Sequence, residues 1–440
     1  MADGAARTPW WLSDNFAPVD AEVEAFDLPA TGALPPELSG VFMRTGPNPA
    51  REASAHWFLG DGMVHGLRLE KGRARWYRNR YVETALRKKN ISSRDPAVFG
   101  DRTASTANTN IVRHAGRIFA LEEAHFPYEI TSVLETRGAE DFGGRLRTAL
   151  TAHPKICPET GEMLAFGYNF ISPFLTYHRF DRDGRLVQSE EIPVGGPIMA
   201  HDFCATRTKV IFLDLPIVFD MATAMSGGMP YKWTQEYQAR LGVMPRNGRA
   251  SDLKWFDIPS CYIFHPLNAY DDGDEVVMDA ARYEKMWVKG FDEPAHLHRF
   301  RLNLRTGLAS EKKLDDHPIE FPRIRDDKAG LKHRYGYAIT THEGEDAGFT
   351  LGTRVVKFDL EKGETKIAEL GGGRLPSEAV FASAGAGEDD GYLLSIVYDA
   401  ARNASDFIVL DAKNFAKGPI ASVALPQRVP FGFHAAWFGD

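Results

Sequence analysis

The stretch Leu297-His298-Arg299-Phe300-Arg301-Leu302-Asn303-Leu304-Arg305-Thr306-Gly307-Leu308 decides the fold. Its apolar residues partly alternate with polar ones, the period of a half-buried strand. Asn303 to Gly307 supply turn chemistry, and a second apolar position opens at Leu308. Residues 177–186 and 355–367 have the same shape. Each is a strand, a turn built on an acidic residue, asparagine or glycine, and a strand running back. Regular strand–turn–strand units point to a β-propeller, in which each unit is part of one blade.

Working outward, the same pattern covers most of the chain. Strands are expected at 40–44, 63–70, 75–82, 117–121, 175–180, 210–213, 275–280, 297–304, 354–358, 392–398 and 406–411. The turns Asp181-Arg182-Asp183-Gly184, Asp271-Asp272-Gly273, Glu361-Lys362-Gly363 and Ala412-Lys413-Asn414 separate them. Two stretches read differently. Residues 141–151 are expected to form a short helix, and the Met-rich segment 215–240 to be partly helical. Together they would cap one face of the propeller. No linker, low-complexity run or charge block marks a boundary. Residues 1–440 therefore read as a single domain, with 1–20 as an extended N-terminal arm.

The bulk numbers exclude several classes. A net charge of −8 is not the basic footprint of a nucleic-acid binder. Hydrophobic content of 43% and charged content of 25% are those of an ordinary soluble globular protein. Cys157, Cys204 and Cys261 are too few and odd in number for a disulfide framework. They read as small buried residues in a reducing compartment. Residues 1–14 lack the basic and apolar regions of a signal peptide, and no apolar run is long enough to span a bilayer. The expected location is the cytoplasm.

Four histidines stand in distinctive phrases: Thr151-Ala152-His153-Pro154, Met199-Ala200-His201-Asp202, Phe264-His265-Pro266 and Gly432-Phe433-His434. They are 48, 64 and 169 residues apart, so no helix can hold them together. Only a large closed fold brings them to one point. Four neutral imidazoles with no cysteine or carboxylate suit a borderline metal such as Fe(II). Taken singly, each reads more readily as a satisfied core histidine than as a ligand. His296 and His298 form an H-x-H pair, which reads better as an alternating strand than as a ligand pair. His56, His65, His114, His125, His178, His317, His333 and His342 share no context and read as structural or solvent-facing.

Three glutamates sit in apolar phrases: Glu123, Glu320 and Glu378. A buried carboxylate needs a partner, and metal-bound imidazoles pass their second N–H to an acceptor. Glu122 beside Glu123 could serve in its place.

At these phrases the chain resembles the carotenoid cleavage oxygenase family. The likeness also rests on residues 40–49, on Gly60-Asp61-Gly62-Met63-Val64-His65, on Glu320-Phe321-Pro322 and on Pro376-Ser377-Glu378. It implies an all-β fold, a seven-bladed propeller with a small helical dome over the iron face. It also implies Fe(II) held by His153, His201, His265 and His434. Glu123, Glu320 and Glu378 would orient His201, His265 and His434, and His153 would have no glutamate partner. Thr109 matches a threonine lying near an open iron position. The implied reaction adds both atoms of O2 across one C=C bond of an apocarotenoid or similar apolar conjugated alkene, giving two carbonyl products.

The family also contains stilbene cleavers, in which a tyrosine and a lysine grip the phenol oxygen. The lysine position is Glu122 here, and no tyrosine stands at 87–89, although Tyr81 is close. A buried glutamate would disfavour a phenolate, because like charges repel. Cleavage of stilbenes or alkenyl phenols is therefore the alternative reading, with Tyr81 as the candidate phenol contact. A propeller used only as a binding scaffold is a third reading, but it would not need four histidines and three buried glutamates. The segment from Leu215 to Met229 reads either as a patch that dips into the inner face of a membrane or as a cap packed on the propeller.

Overall fold

The structure is a computed structural model describing residues 9–50, 56–226, 229–288, 293–341 and 350–440. His342 lies outside these residues. Seven antiparallel sheets of four to six strands follow one another along the chain and form the blades of a propeller. Blade 2 runs from Asn110–His114 outward, blade 3 from Lys155–Ile156, blade 4 from Cys204–Ala205, blade 5 from Tyr262–Asp272 and blade 6 from Ile319–Arg323. Blade 7 begins with Arg374–Pro376 and Val380–Ser383, which pair in turn with Gly391–Asp399.

Blade 1 is built from two distant parts of the chain. Ala435–Gly439 pairs with Gly40–Pro47, from Gly40 opposite Gly439 to Arg44 opposite Ala435. A second stitch adds Ala30–Gly32 to the outside of blade 7, against Pro419–Ala424. The ring is therefore closed twice.

The stretch that decided the fold behaves as its pattern requires. Its first strand, His296–Asn303, buries Leu297, Phe300 and Leu302 and leaves Arg299 and Arg301 partly exposed. Asn303 Oδ1 accepts hydrogen bonds from the N–H groups of Arg305 and Thr306, and Gly307 takes φ +76°. An Asn side chain that satisfies the turn backbone, followed by a left-handed glycine, sends the chain back as Leu308–Lys313.

The core lies between blade faces. Leu67 and Tyr77 of blade 1 pack against Leu394, Phe407 and Val409 of blade 7, and the Phe42 and Phe407 rings meet edge to face at 5.3 Å. Burying an apolar side chain such as Phe42, Leu67 or Phe407 contributes roughly 1.5–3 kcal/mol. All three cysteines are buried and free.

The helical expectations need correction. Residues 141–151 contain no helix. Phe142, Leu146 and Leu150 share one core cluster at helical spacing, but Phe142, Gly143 and Gly144 have φ of 55°, 70° and 76°. Three consecutive left-handed residues cannot propagate a right-handed helix. Among the described residues of 215–240 the helical part is Met221–Met225, capped by Asp220 Oδ1 accepting from Thr223 N–H. Ile217–Phe219 and Tyr231–Trp233 on either side of it form a two-stranded ribbon. The other α-helix among the described residues is Ala85–Lys89. Residues 10–12 and 14–16 are short 3-10 turns. No helix among the described residues is long and apolar enough to cross a membrane.

Candidate metal centre

Each blade places one of the candidate residues on, or just before, one of its opening or completing strands. Thr109 precedes the first strand of blade 2, His153 that of blade 3 and His201 that of blade 4. His265 lies within the first strand of blade 5 and Glu320 within that of blade 6. Glu378 sits between the two short strands that open blade 7, and His434 precedes the strand that completes blade 1. Glu123 is the exception, because it follows the second strand of blade 2.

Proline helps to aim these side chains. His265-Pro266 lies at a break in register, and a second break falls after Glu320, where Phe321 has φ 52° and Pro322 follows. Proline has no N–H for the ladder, so the strand bulges and re-aims its neighbours.

One nitrogen from each of His153, His201, His265 and His434 falls in a group with all members within 4.8 Å of one another. His201 Nε2 is 3.0 Å from His153 Nε2 and 3.2 Å from His265 Nε2. The opposite nitrogens of three of these rings meet carboxylates. His201 Nδ1 is 2.8 Å from Glu123, His265 Nδ1 is 2.5 Å from Glu320 and His434 Nδ1 is 3.0 Å from Glu378. An ionised carboxylate fixes the proton on Nδ1 and leaves the Nε2 lone pair bare. Neutral imidazoles in this tautomer would crowd lone pairs together, an arrangement that a shared cation satisfies. The donor set therefore fits a metal ion.

At His153 and His434 the protonation pattern agrees, while His265 differs. Burial and the three neighbouring imidazoles push His153 well below its ordinary value. Burial takes His434 down to about 4 despite the Glu378 carboxylate, so it is neutral at pH 7. For His265 burial is outweighed by Glu320, and its pKa is raised. Burial alone would raise Glu378, but His434, Arg323 and the Ala435 N–H bring it to about 2. Glu378 is thus ionised at any physiological pH.

The structure also supplies residues that the sequence did not reveal. The Tyr283 hydroxyl donates to Glu320 Oε1 at 2.7 Å, leaving Oε2 for His265 and the Phe321 N–H. Asp202, buried beside His201, lies 3.8 Å from His153 Nδ1 and 2.7 Å from Lys155 Nζ. His153 has no glutamate, but a carboxylate is nearby. Its adjacency to His201 in the quoted phrase was the available signal, whereas nothing in the sequence pointed to Tyr283. Thr109 donates its hydroxyl proton to Asn108 Oδ1 at 2.9 Å, and the Asn108 amide is itself anchored on the Phe58 and Gly60 carbonyls. Thr109 therefore has no hydroxyl proton left to give to the centre.

A cavity of about 640 Å³ opens over this group. Thr109, His201, His265 and His434 are on its wall with Phe170, Phe219, Phe264, Phe433 and Tyr231. Ala224, Met225, Met229 and Pro230 of the Met-rich segment also line it, and Met225 is 83% exposed. That segment is both wall and rim.

Other expectations fall elsewhere. Tyr81 does not line the cavity. It packs with Val19 and Met63 in a separate cluster, its oxygen accepts from Asn48 Nδ2 at 2.6 Å, and Arg87 lies over its ring at 3.6 Å. Its assignment as a phenol contact is withdrawn. His296 and His298 lie on an ordinary blade strand. His125, taken as structural or solvent-facing, lines the cavity with Glu122.

A profile of the retinal pigment epithelial membrane protein family (RPE65) matches residues 16–439. The carotenoid cleavage oxygenase of Mycobacterium tuberculosis is 38% identical, over 97% of this chain and 97% of its own length. The carotenoid 9,10(9',10')-cleavage dioxygenase 1 of Arabidopsis thaliana is 38% identical, over 97% of this chain and 89% of its own. Among solved structures, the lignostilbene dioxygenase of Pseudomonas brassicacearum superposes with a TM-score of 0.91 at 29% identity, covering 99% of both chains.

Proposed function

This chain belongs to the carotenoid cleavage oxygenase family and is a dioxygenase that cleaves a carbon–carbon double bond, and from that premise we propose that it acts through Fe(II) on an apocarotenoid or related conjugated alkene. The observation that carries this reading is the convergence of four imidazole nitrogens, three of the rings braced by carboxylates, beneath an apolar cavity. His153, His201, His265 and His434 are the ligands. Glu123, Glu320 and Glu378 hold the last three in the right tautomer. Bound there, Fe(II) supplies the redox chemistry that brings O2 to the alkene.

The remaining work belongs to the chain. One alkene and one O2 become two carbonyl compounds, so no water, proton or external reductant enters the balance. The protein has only to hold the double bond over the centre and keep water out. Phenylalanine and methionine walls do both, because a polyene offers little to hydrogen-bond. Thr109, its hydroxyl committed to Asn108, provides a small wall residue that does not protonate the reacting oxygen. Residues 1–440 act as one domain in the cytoplasm. The rim helix carrying Met221 and Met225 supports a peripheral contact with the membrane's inner face, through which a lipid-dissolved substrate enters.

The likeness to lignostilbene dioxygenase favours a second reading, cleavage of a hydroxystilbene or alkenyl phenol to aromatic aldehydes. One substrate panel tests both. Iron-loaded protein is incubated in air with apocarotenals, carotenes, resveratrol and alkenyl phenols, and products are identified by mass. The expected result is paired aldehydes from a polyene, with faster turnover per iron on an apocarotenal than on resveratrol. A clear advantage for resveratrol would promote the stilbene reading. No carbonyl product from any alkene would end both.

A further inference from the structure

Besides the four-histidine group, the cavity wall carries a carboxylate–imidazole pair. Glu122 and His125 both line the cavity, and Glu122 Oε2 lies 2.6 Å from His125 Nδ1. The other carboxylate oxygen, Oε1, accepts from the Ala124 N–H at 2.8 Å. Glu122 is thus engaged at both oxygens, one of them by the ring it holds. An ionised Glu122 fixes the His125 proton on Nδ1, so Nε2 presents a bare lone pair. Among the described residues no group hydrogen-bonds Nε2. The two side chains are 14% and 23% exposed, part of that surface being the cavity itself.

We infer that His125, oriented by Glu122, is the acceptor for a hydroxyl group carried on the end of the conjugated substrate. The inference rests on the alkene-cleaving reading and narrows it to hydroxylated substrates. An oriented imidazole Nε2 on the cavity wall rewards an O–H donor, and is left unpaired beneath a plain hydrocarbon end. A polyene end-ring alcohol and a stilbene phenol both offer that donor. The pair accepts either without needing the substrate to ionise, so the repulsion between Glu122 and a phenolate does not weigh against a neutral phenol.

The test is equilibrium binding to metal-free protein, which needs no turnover. Fluorescence quenching gives Kd for 4-hydroxystilbene and for stilbene. A second arm compares a ring-hydroxylated apocarotenal with its deoxy counterpart. In the parent, at least one pair is expected to favour the hydroxyl compound by about two- to twelvefold, the range for one neutral hydrogen bond. Which pair does so identifies the source of the hydroxyl. His125→Phe should bring that ratio to about one, whereas His125→Gln, which keeps an acceptor, should retain part of it. A ratio near one in the parent for both pairs, or an unchanged ratio in His125→Phe, overturns the inference. Thermal melts of both variants separate lost recognition from lost folding. Failure of the oxygenase reading shows itself separately, as absent turnover by iron-loaded parent protein while the hydroxyl preference in binding persists.

Discussion

Single side chains decide whether this centre can hold a metal. His201→Ala or His434→Ala removes one of four converging nitrogens, and each should lose most bound iron and all alkene cleavage, read by metal analysis and product mass. Glu378→Gln keeps the shape but weakens the acceptor for His434, and should lower metal affinity about 10- to 100-fold. Its pH behaviour is constrained. The Glu378 pKa is depressed to about 2, so the carboxylate keeps its full effect above the ordinary carboxylate range and loses it only as pH falls through about 2. The affinity ratio of parent to Glu378→Gln should therefore stay flat between pH 5 and 8, and a ratio that collapses as pH drops toward 5 would contradict it. The histidine phrases and the three glutamates were legible at this scale, because the residue types and their apolar settings are local. Tyr283 was not, since its role exists only where blade 5 meets Glu320. Tyr81 was misread because nearness in sequence to 87–89 says nothing of which cavity a strand residue faces.

Elements hold these residues through close backbone contacts. Gly46 and Gly432 lie back to back. A Cβ on Gly432 would sit 2.7 Å from the Gly46 Cα and 2.9 Å from the Thr45 carbonyl oxygen. His434 is two residues on, its N–H donating to the Thr109 carbonyl at 3.1 Å. Gly432→Ala must push these segments apart, at a cost of about 1–3 kcal/mol. The expected outcome is a lower melting temperature together with weaker iron binding; an unchanged melt would show that the two segments give way easily. Strands and turns were largely readable, because alternation and Asx or glycine turns are short-range signals. The 141–151 helix was not there to be found: apolar spacing mimicked one, while Gly143 and Gly144 took the left-handed turn that the spacing cannot express.

At the scale of the whole molecule, the four converging histidines come from four different blades, so a metal held by them would tie together parts of the ring that are remote in sequence. Metal that binds only the folded state stabilises by mass action, by about 2.7 kcal/mol when free metal is a hundredfold above Kd. Adding Fe(II) anaerobically should raise the melting temperature of the parent and leave that of His153→Ala nearly unmoved. The blade count was not legible from the weak repeats alone; it came from the family resemblance, since each blade's loops obscure the period. The closure of blade 1 by residues 435–439 has a consequence for biosynthesis. His153, His201 and His265 leave the ribosome well before His434, and until residues 435–439 pair with Gly40–Arg44 blade 1 is incomplete and the group lacks its fourth imidazole. On the proposed reading, metal capture waits until residues 434–439 have been made, and a polypeptide cut before residue 434 lacks both the strand that completes blade 1 and one of the four imidazoles.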